Sequence, residues 1–425
     1  MALKGAEKLF QSAGIYTVSR ILSSAVPFLM MPVLTRYLTP ADYGIVAMFA
    51  AVLTFVNPFV GINAAGTIGV RYFSKEHIEM PRYVGTCLYV SLATLVLVAL
   101  FFALFGSFVS RVTQFPAPWL WSVVLVAAGQ LVVRIVMTFW QVEQRALAYG
   151  VFLNVQTLVN VALSVLFVIV LGRNWQGRIE AQVVTICCFA AIGLYILWRK
   201  GQVSMHYDRG YALDMVRFGL PLIPHEIGGI VIGQTDRFFI TNMVGIGETG
   251  VYSVGYQVGG IIEILALSFN QAYSPWLFRK LRDGGDDFKR TLVKYTYAYM
   301  AGILLLAVGF AAIAPWLLSF FVGKAFGGSG VYTFWISIGF AFSGMYYMVC
   351  NYIFYAGKTS VLAAVTFATA LLNVVFNYVL IKLNGPVGAA QASAIAFFIS
   401  FVLTWILSAR VYPMPWNLFR HREAQ

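Results

Sequence analysis

The sequence TRYLTPADYGI, residues 35–45, returns in altered form as TNMVGIGETGV, residues 241–251. Each copy ends one apolar run and begins the next, with an acidic residue, one spacer, a glycine and an aliphatic residue in the same order. The two acidic residues, Asp42 and Glu248, are 206 positions apart. Because this offset is close to half of the 425-residue chain, it indicates two hydrophobic halves built on one pattern.

The composition of the chain is that of a membrane protein. Hydrophobic residues make up 60% of it and charged residues 11%, and the mean hydropathy is +0.79. A transmembrane helix needs about 20 apolar residues. Twelve runs of sufficient length are predicted, at 13–35, 43–69, 83–105, 119–140, 149–171, 180–198, 216–240, 250–275, 292–313, 330–354, 360–381 and 388–409. The sequence therefore predicts an all-α integral membrane protein with about twelve transmembrane helices.

The lysine and arginine residues predict the orientation of these helices. The chain has 29 of them and a net charge of +13, and most lie in loops on the side that carries both termini. The positive-inside rule places that side in the cytoplasm. Since the basic residues form no domain of their own, they favour contact with anionic membrane lipids and argue against binding to nucleic acid.

A polar stretch in the middle of the chain predicts the domain organisation. Six apolar runs precede it and six follow, so both halves are expected to start in the cytoplasm as parallel repeats. The predicted parts are an N-terminal six-helix lobe at 1–199, a cytoplasmic linker at 200–215, a C-terminal six-helix lobe at 216–410 and a cytoplasmic tail at 411–425. A matched duplication of this kind is typical of secondary transporters.

Prolines predict interrupted helices in the first run of each lobe. Pro27 and Pro32 lie in one, and Pro221 and Pro224 in the other. Proline frees backbone carbonyl groups, and at membrane depth these are tolerated only against protein or water. Such helices point to a central binding site, and the alternative is that each is an ordinary packing kink.

Ionisable side chains inside the apolar runs are the candidate functional residues. Each costs about 2.5–3.5 kcal/mol at mid-span and therefore needs a partner, a water-filled cavity or a route to the headgroups. Those considered are Arg20, Arg134, Glu226, Asp236, Arg237 and Glu263. Arg20 and Arg134 alternatively reach the headgroups by snorkelling. Direct pairing of Asp236 with Arg237 is not assured, because neighbours on a helix point in different directions.

The repeat suggests one specific pairing. The 206-residue offset carries Arg20 onto Glu226, so the two lobes present opposite charges at matched positions. We expect these two side chains to face each other across a central cleft.

Motifs for ATP hydrolysis, metal binding and covalent chemistry are missing from the sequence. It contains neither a P-loop nor an H-E-x-x-H pattern. The outward loops are short, which argues against a membrane glycosyltransferase. We therefore expect a protein that is not an enzyme and has no catalytic residues, no metal site and no cofactor. A structural subunit without transport is opposed by the deep charged residues.

Two parts of the chain resemble a known family. Residues 21–44, ILSSAVPFLMMPVLTRYLTPADYG, resemble the opening of Wzx-type polysaccharide flippases. The series GLPLIP at 219–224, TDRFFI at 235–240 and GVYS at 250–253 resembles their second-half signature. This family is the polysaccharide transporter branch of the multidrug/oligosaccharidyl-lipid/polysaccharide exporter superfamily.

The resemblance implies a fold and a substrate. The fold is two six-helix lobes around a central cavity. The substrate is an undecaprenyl-pyrophosphate-linked oligosaccharide, an O-antigen or exopolysaccharide repeat unit, moved from the cytoplasmic to the periplasmic leaflet of a bacterial inner membrane. Cationic residues that line the cavity serve the pyrophosphate in this family. The residues here that match this role are Arg20, Arg71, Arg134 and Arg237.

The expected mechanism is alternating access driven by an ion gradient. Glu226, Glu263 and Asp236 are the candidate ion-coupling carboxylates. The alternative is a cation-coupled multidrug antiporter of the same superfamily, which would favour an acidic, aromatic cavity. We expect a functional monomer, and association with a polysaccharide polymerase and chain-length proteins stays open.

Overall fold

A computed structural model describes residues 19, 22, 26, 28–74, 78–283 and 286–417. Throughout these residues the regular structure is helical, and no strand occurs among them. Helix α1 is described over residues 28–37. The helices that follow are α2 Pro40–Val56, α3 Ala64–Arg71, α4 Met80–Thr113, α5 Leu120–Val142, α6 Ala146–Val165, α7 Asn174–Arg199, α8 Arg209–Gly219, α9 Leu222–Met243, α10 Ile246–Asp283, α11 Asp286–Phe321, α12 Ser329–Tyr355, α13 Thr359–Asn384 and α14 Val387–Val411.

The described helices confirm the predicted class of an all-α membrane protein. Ten helical segments are long and apolar enough to cross a membrane, and α2 is a shorter apolar helix. The ten coincide with the predicted runs from 83–105 onward. Of the other two runs, 13–35 lies largely outside the described residues and 43–69 is interrupted. The structure therefore supports the class and leaves the count of twelve unconfirmed.

The chain folds as two compact units, Met1–Ile227 and Gly228–Gln425, here called the N-terminal and C-terminal units. Their division falls inside α9, beyond the predicted linker at 200–215. The reason is that the linker and α8 pack on the N-terminal unit. The backbone N–H of Ser204 donates to the carbonyl oxygen of Pro81 at 2.8 Å, and Met215 is buried in the core of the unit.

The second apolar run contains an interruption that the sequence analysis did not predict. Between α2 and α3 the φ angles are positive at Gly61 (78°), Ile62 (41°) and Asn63 (56°). A β-branched residue rarely adopts this backbone, so the surrounding structure must hold it. Part of that support is Thr94, whose Oγ1 accepts a hydrogen bond from the N–H of Gly61 at 3.0 Å.

The predicted interruption of the seventh run is confirmed at Pro221, since α8 ends at Gly219 and α9 begins at Leu222. Pro32, in contrast, lies within the helical residues of α1, and Pro27 lies outside the described residues. A Cβ atom on Gly219 would lie 2.0 Å from the carbonyl oxygen of Ile62. The two interruptions of the N-terminal unit therefore touch each other.

The repeated turn has a local structural role in both copies. In the first copy Thr39 caps α2: its Oγ1 accepts from the N–H of Asp42 at 3.2 Å, and Asp42 Oδ2 accepts from the N–H of Thr39 at 3.1 Å. In the second copy Glu248 lies in the first turn of α10 and accepts a hydrogen bond from the Tyr332 hydroxyl. An acidic side chain is favourable at the positive end of a helix, which accounts for its place in the repeat.

The C-terminal unit is organised around α12, which packs against α10, α11 and α14. The chain after α14 returns to this core. Trp416 packs edge-on against Tyr297, Tyr352 and Trp405, and the Tyr297 hydroxyl donates to the Trp416 carbonyl oxygen at 3.0 Å. Residues 412–417 therefore form part of the folded unit.

Candidate functional site

Arg134 belongs to a polar cluster beside the interruption in the second apolar run. Its Nη2 donates to Asn57 Oδ1 at 3.4 Å, and Asn57 Nδ2 donates to Gln130 Oε1 at 3.2 Å. Arg134 is exposed, and among the described residues this long contact is the one hydrogen bond of its guanidinium group. Most of its donors are therefore open to a ligand.

Glu226 is an acidic residue that interacts electrostatically with Arg134 of this cluster. It is exposed near the start of α9, and both residues belong to the N-terminal unit. The sequence analysis placed Glu226 inside an apolar run and expected it to face Arg20. Because Arg20 lies outside the described residues, this pairing stays a prediction.

Arg71 is engaged in an ion pair at the end of α3. Its Nε and Nη2 donate to the two carboxylate oxygens of Asp214 at 2.9 and 2.6 Å, and the Tyr83 hydroxyl donates to Asp214 at 2.7 Å. The hydrogen bond to Asp214 raises the pKa of Arg71 above its ordinary value. The ion pair and the Tyr83 hydrogen bond together hold α8 against α3 and α4.

Arg237 and Asp236 form a direct pair inside the C-terminal unit, which the sequence did not assure. Arg237 is 8% exposed and Asp236 0%. Arg237 Nη1 donates to Asp236 Oδ1 at 3.2 Å and to the Gly233 carbonyl oxygen at 2.8 Å, because the long side chain folds back along its own helix. The Tyr252 hydroxyl donates to Asp236, and the guanidinium carbon lies 4.2 Å from the ring centre of Tyr256.

Glu263 lines a cavity within the C-terminal unit. The cavity measures about 510 Å³, within the range of small-molecule sites. The Tyr347 hydroxyl donates to Glu263 Oε1 at 2.5 Å, and Ser343 Oγ lies 3.5 Å from the same oxygen. The other oxygen, Oε2, is buried and has no hydrogen-bond partner in the described part of the chain. Its surroundings are aromatic, with Tyr256, Tyr346 and Phe340 on the walls.

Arg178 is a charged residue that the sequence analysis did not single out. It lies inside α7, where Nη1 donates to Asn160 Oδ1 at 3.1 Å and to Ser164 Oγ at 3.3 Å. Both acceptors lie on α6, just before a π-helical turn at Leu166–Val170. The sequence signal available was Asn160 and Ser164 at helical spacing in an apolar run, which indicates a polar partner from another helix.

Among the described residues, no group of three or more His, Cys, Asp or Glu side chains is placed to hold a metal ion. In the N-terminal unit, Arg134 is a cation that an anionic ligand can reach. In the C-terminal unit, the cavity presents the Glu263 carboxylate and aromatic rings.

Sequence comparison places the chain among polysaccharide biosynthesis proteins. The model of the family described as "Polysaccharide biosynthesis protein" matches residues 9–281. The chain is 24% identical over 415 residues to the "Lsg locus putative protein 1" of Haemophilus influenzae, covering 92% of this chain and 98% of that protein. It is 21% identical over 417 residues to the "Capsular polysaccharide biosynthesis protein CapF" of Staphylococcus aureus, covering 93% and 98%.

Solved structures share the fold. The lipid II flippase MurJ in an inward closed conformation matches with a TM-score of 0.73 and 13% identity, over 92% of this chain and 87% of that one. An inward-facing multidrug resistance transporter of the MATE family matches with a TM-score of 0.71 and 14% identity, over 93% and 94%. The fold of both is the two-lobe fold of the superfamily expected from the sequence.

Proposed function

Because the chain belongs to the polysaccharide biosynthesis protein family, we propose that it is a flippase for a lipid-linked oligosaccharide. The substrate is an undecaprenyl-pyrophosphate-linked O-antigen or exopolysaccharide repeat unit. The protein carries it from the cytoplasmic to the periplasmic leaflet of the bacterial inner membrane by alternating access. The observation that carries this proposal is Arg134, a cation within an apolar helix whose donors are largely open.

Arg134 contacts the pyrophosphate. A guanidinium group is always charged and binds phosphate oxygens through two parallel hydrogen bonds. The described partners of Arg134 are a neutral amide at 3.4 Å and the charge of Glu226, both of which a phosphate can replace. The interrupted backbone at 57–63 places Asn57 beside it, so an additional amide donor is available to the same ligand.

The other candidate arginines act differently in this proposal. Arg71 and Arg237 already have carboxylate partners, Asp214 and Asp236, and position helices within their own units. Arg20 remains a candidate for the pyrophosphate on the evidence of the sequence alone.

An ion gradient drives the transport cycle. Glu226 and Glu263 are the coupling carboxylates, since the first is exposed beside Arg134 and the second has an oxygen without a described partner in a cavity. Asp236 has its charge compensated by Arg237 and Tyr252, so it serves chiefly to keep that buried arginine neutralised. The protein works as a monomer that supplies a polysaccharide polymerase and its chain-length proteins.

A deletion strain of the native host tests the flippase function. We expect the deletion to abolish the surface polysaccharide and to cause lipid-linked units of normal composition to accumulate. The wild-type chain should restore the polysaccharide, and Arg134→Ala should lower it by about tenfold or more, the loss of about 1.4 kcal/mol of binding. Arg145→Ala is the matched control, because Arg145 is 56% exposed and pairs only with Glu143 in the described structure.

A cation-coupled multidrug antiporter is the second candidate function, and one observation favours it. The cavity of the C-terminal unit is acidic and aromatic, which suits an organic cation. Normal polysaccharide in the deletion strain, together with raised sensitivity to cationic drugs, would establish this function in place of the flippase.

A further inference from the structure

The cavity in the C-terminal unit has the wrong charge for a pyrophosphate. Among its described lining residues there is no lysine, arginine or histidine, and Glu263 is the one carboxylate. The nearby Arg237 is separated from the cavity by Tyr256, whose ring lines the cavity and also stacks on the guanidinium group. An anion placed here would meet a carboxylate without meeting a compensating cation. The charge of the cavity therefore argues against a pyrophosphate as its ligand.

Three glycines keep the cavity open at a cost in helix stability. Gly229 and Gly233 lie on α9 and Gly260 on α10, and a glycine inside a helix costs about 0.5–1 kcal/mol relative to alanine. A Cβ atom on Gly229 would meet nothing within 4 Å, and one on Gly260 would meet only Phe340 at 3.9 Å. The neighbouring Gly259 differs, because its Cβ would lie 2.7 Å from Ile336. Gly259 is required by the close packing of α10 against α12. The other three glycines are not required by packing, and their missing side chains leave the cavity open.

The groups around this space suit a sugar. The hydroxyl groups of Tyr347 and Ser343 both donate to Glu263 Oε1 and leave Oε2 to accept from a ligand hydroxyl. The rings of Tyr256, Tyr346 and Phe397 offer apolar faces to the C–H side of a pyranose, and Thr366 and Ser400 add hydroxyl groups.

We propose that this cavity is a subsite for an uncharged sugar of the lipid-linked oligosaccharide, and that Glu263 selects against sugars that carry a carboxylate. The proposal rests on the flippase function and adds a substrate preference to it. The selection is electrostatic, since a hexuronic acid brought to Glu263 would place two carboxylates together without a cation between them.

Filling the cavity tests the subsite. In a flippase-deficient strain that makes a neutral repeat unit, we expect Gly229→Leu to lower transport about tenfold, the equivalent of about 1.4 kcal/mol. Gly302→Leu is the matched control, because Gly302 is also helical and its Cβ would also meet nothing within 4 Å, but it lies on α11, away from the cavity lining. Both variants should unfold at or above the wild-type temperature, because each replaces a glycine inside a helix at a position without a clash. Equal transport by the two variants would overturn the subsite.

Changing the charge tests the selection. The same strain is supplied with two undecaprenyl-pyrophosphate-linked units, one made of neutral hexoses and N-acetylhexosamines and one in which a hexuronic acid replaces a hexose. Wild-type protein should move the neutral unit about tenfold faster, a difference of about 1.4 kcal/mol. Glu263→Gln should bring the two rates within about twofold of each other. A ratio that stays at the wild-type value would overturn the selection.

The ratio also separates this role of Glu263 from ion coupling. A variant that loses coupling alone slows both units equally and leaves the ratio unchanged. If Glu263→Gln transports neither unit, binding in detergent is measured instead. Wild-type protein should bind the neutral unit about tenfold more tightly than the acidic one, and Glu263→Gln should bind the two within about twofold of each other. An equal preference in both proteins would overturn the selection. If wild-type protein moves neither unit and protects the strain against cationic drugs, the flippase function itself is wrong.

Discussion

The buried pair of Asp236 and Arg237 shows how one residue depends on its immediate neighbour. Replacing Arg237 with methionine leaves a fully buried carboxylate without its charge partner. We expect the free energy of unfolding to fall by about 3–5 kcal/mol, because the buried carboxylate has lost its hydration and no longer has an opposite charge to compensate for that loss. Thermal unfolding in detergent measures this.

The double variant Asp236→Asn with Arg237→Met is the control for that prediction. It removes both charges and keeps the shapes of the side chains, so most of the lost stability should return. If the double variant is as unstable as the single one, the pair does not behave as a unit, and Tyr252, which donates to Asp236, is the principal partner.

Arg71 offers a test at the same scale of whether an arginine positions a helix or binds the substrate. Its ion pair with Asp214 is about one-third exposed, so its contribution to stability is about 1 kcal/mol or less. In the positioning role, Arg71→Ala, Asp214→Ala and the double variant should lower transport by the same factor. A further loss in the double variant, or normal transport with Asp214→Ala alone, would assign Arg71 to the substrate.

At the scale of elements, the contact between the two helix interruptions is sterically tight. A Cβ atom at Gly219 would lie 2.0 Å from the Ile62 carbonyl oxygen. Because that oxygen belongs to the backbone, the overlap can be removed only by moving the main chain. We therefore expect Gly219→Ala to lower the unfolding temperature and the yield of folded protein, even though alanine favours helices by about 1 kcal/mol. Gly302→Ala should be neutral or stabilising, and equal behaviour of the two would contradict the contact.

The two interruptions also show what hydropathy can and cannot predict. Proline at 221 removes a backbone donor from a run, so the sequence predicts that interruption directly. The run at 43–69 stays apolar throughout, and hydropathy reports partition into the membrane rather than continuity of the helix. The positive φ angles of Ile62 and Asn63 depend on contacts with α4 and α8 that no local pattern reveals. The signals available were Pro58 and Gly61.

The candidate site was predictable in its residue types and not in its pairings. The cost of a charge in a membrane marks Arg134, Arg237 and Glu263 from the sequence alone. Which partner each side chain meets depends on the packing of separate helices. Arg71, for example, pairs with Asp214, 143 positions away in the chain.

At the scale of the whole molecule, the predicted spans and the distribution of basic residues together predict which loops are cytoplasmic. Alkaline phosphatase is active only outside the cytoplasm, so fusions that end at Gly172 or Gly385 should be active. Fusions that end at Gly201 or Gly357 should be inactive. These four glycines all have positive φ and lie between helices. Activity at Gly201 as well as at Gly172 would mean that the two halves do not start on the same side of the membrane.

The packing of the central linker on the N-terminal unit determines how the protein can be divided. A gene split at Gly201 would give two fragments of nearly equal length, but the second would carry α8 and with it Asp214, the partner of Arg71 and Tyr83 on the first. Each fragment would therefore present half of a preformed interface. Two such fragments, expressed from separate genes, should assemble into a functional protein. The linker and α8 would then hold the fragments together through their contacts with the N-terminal unit.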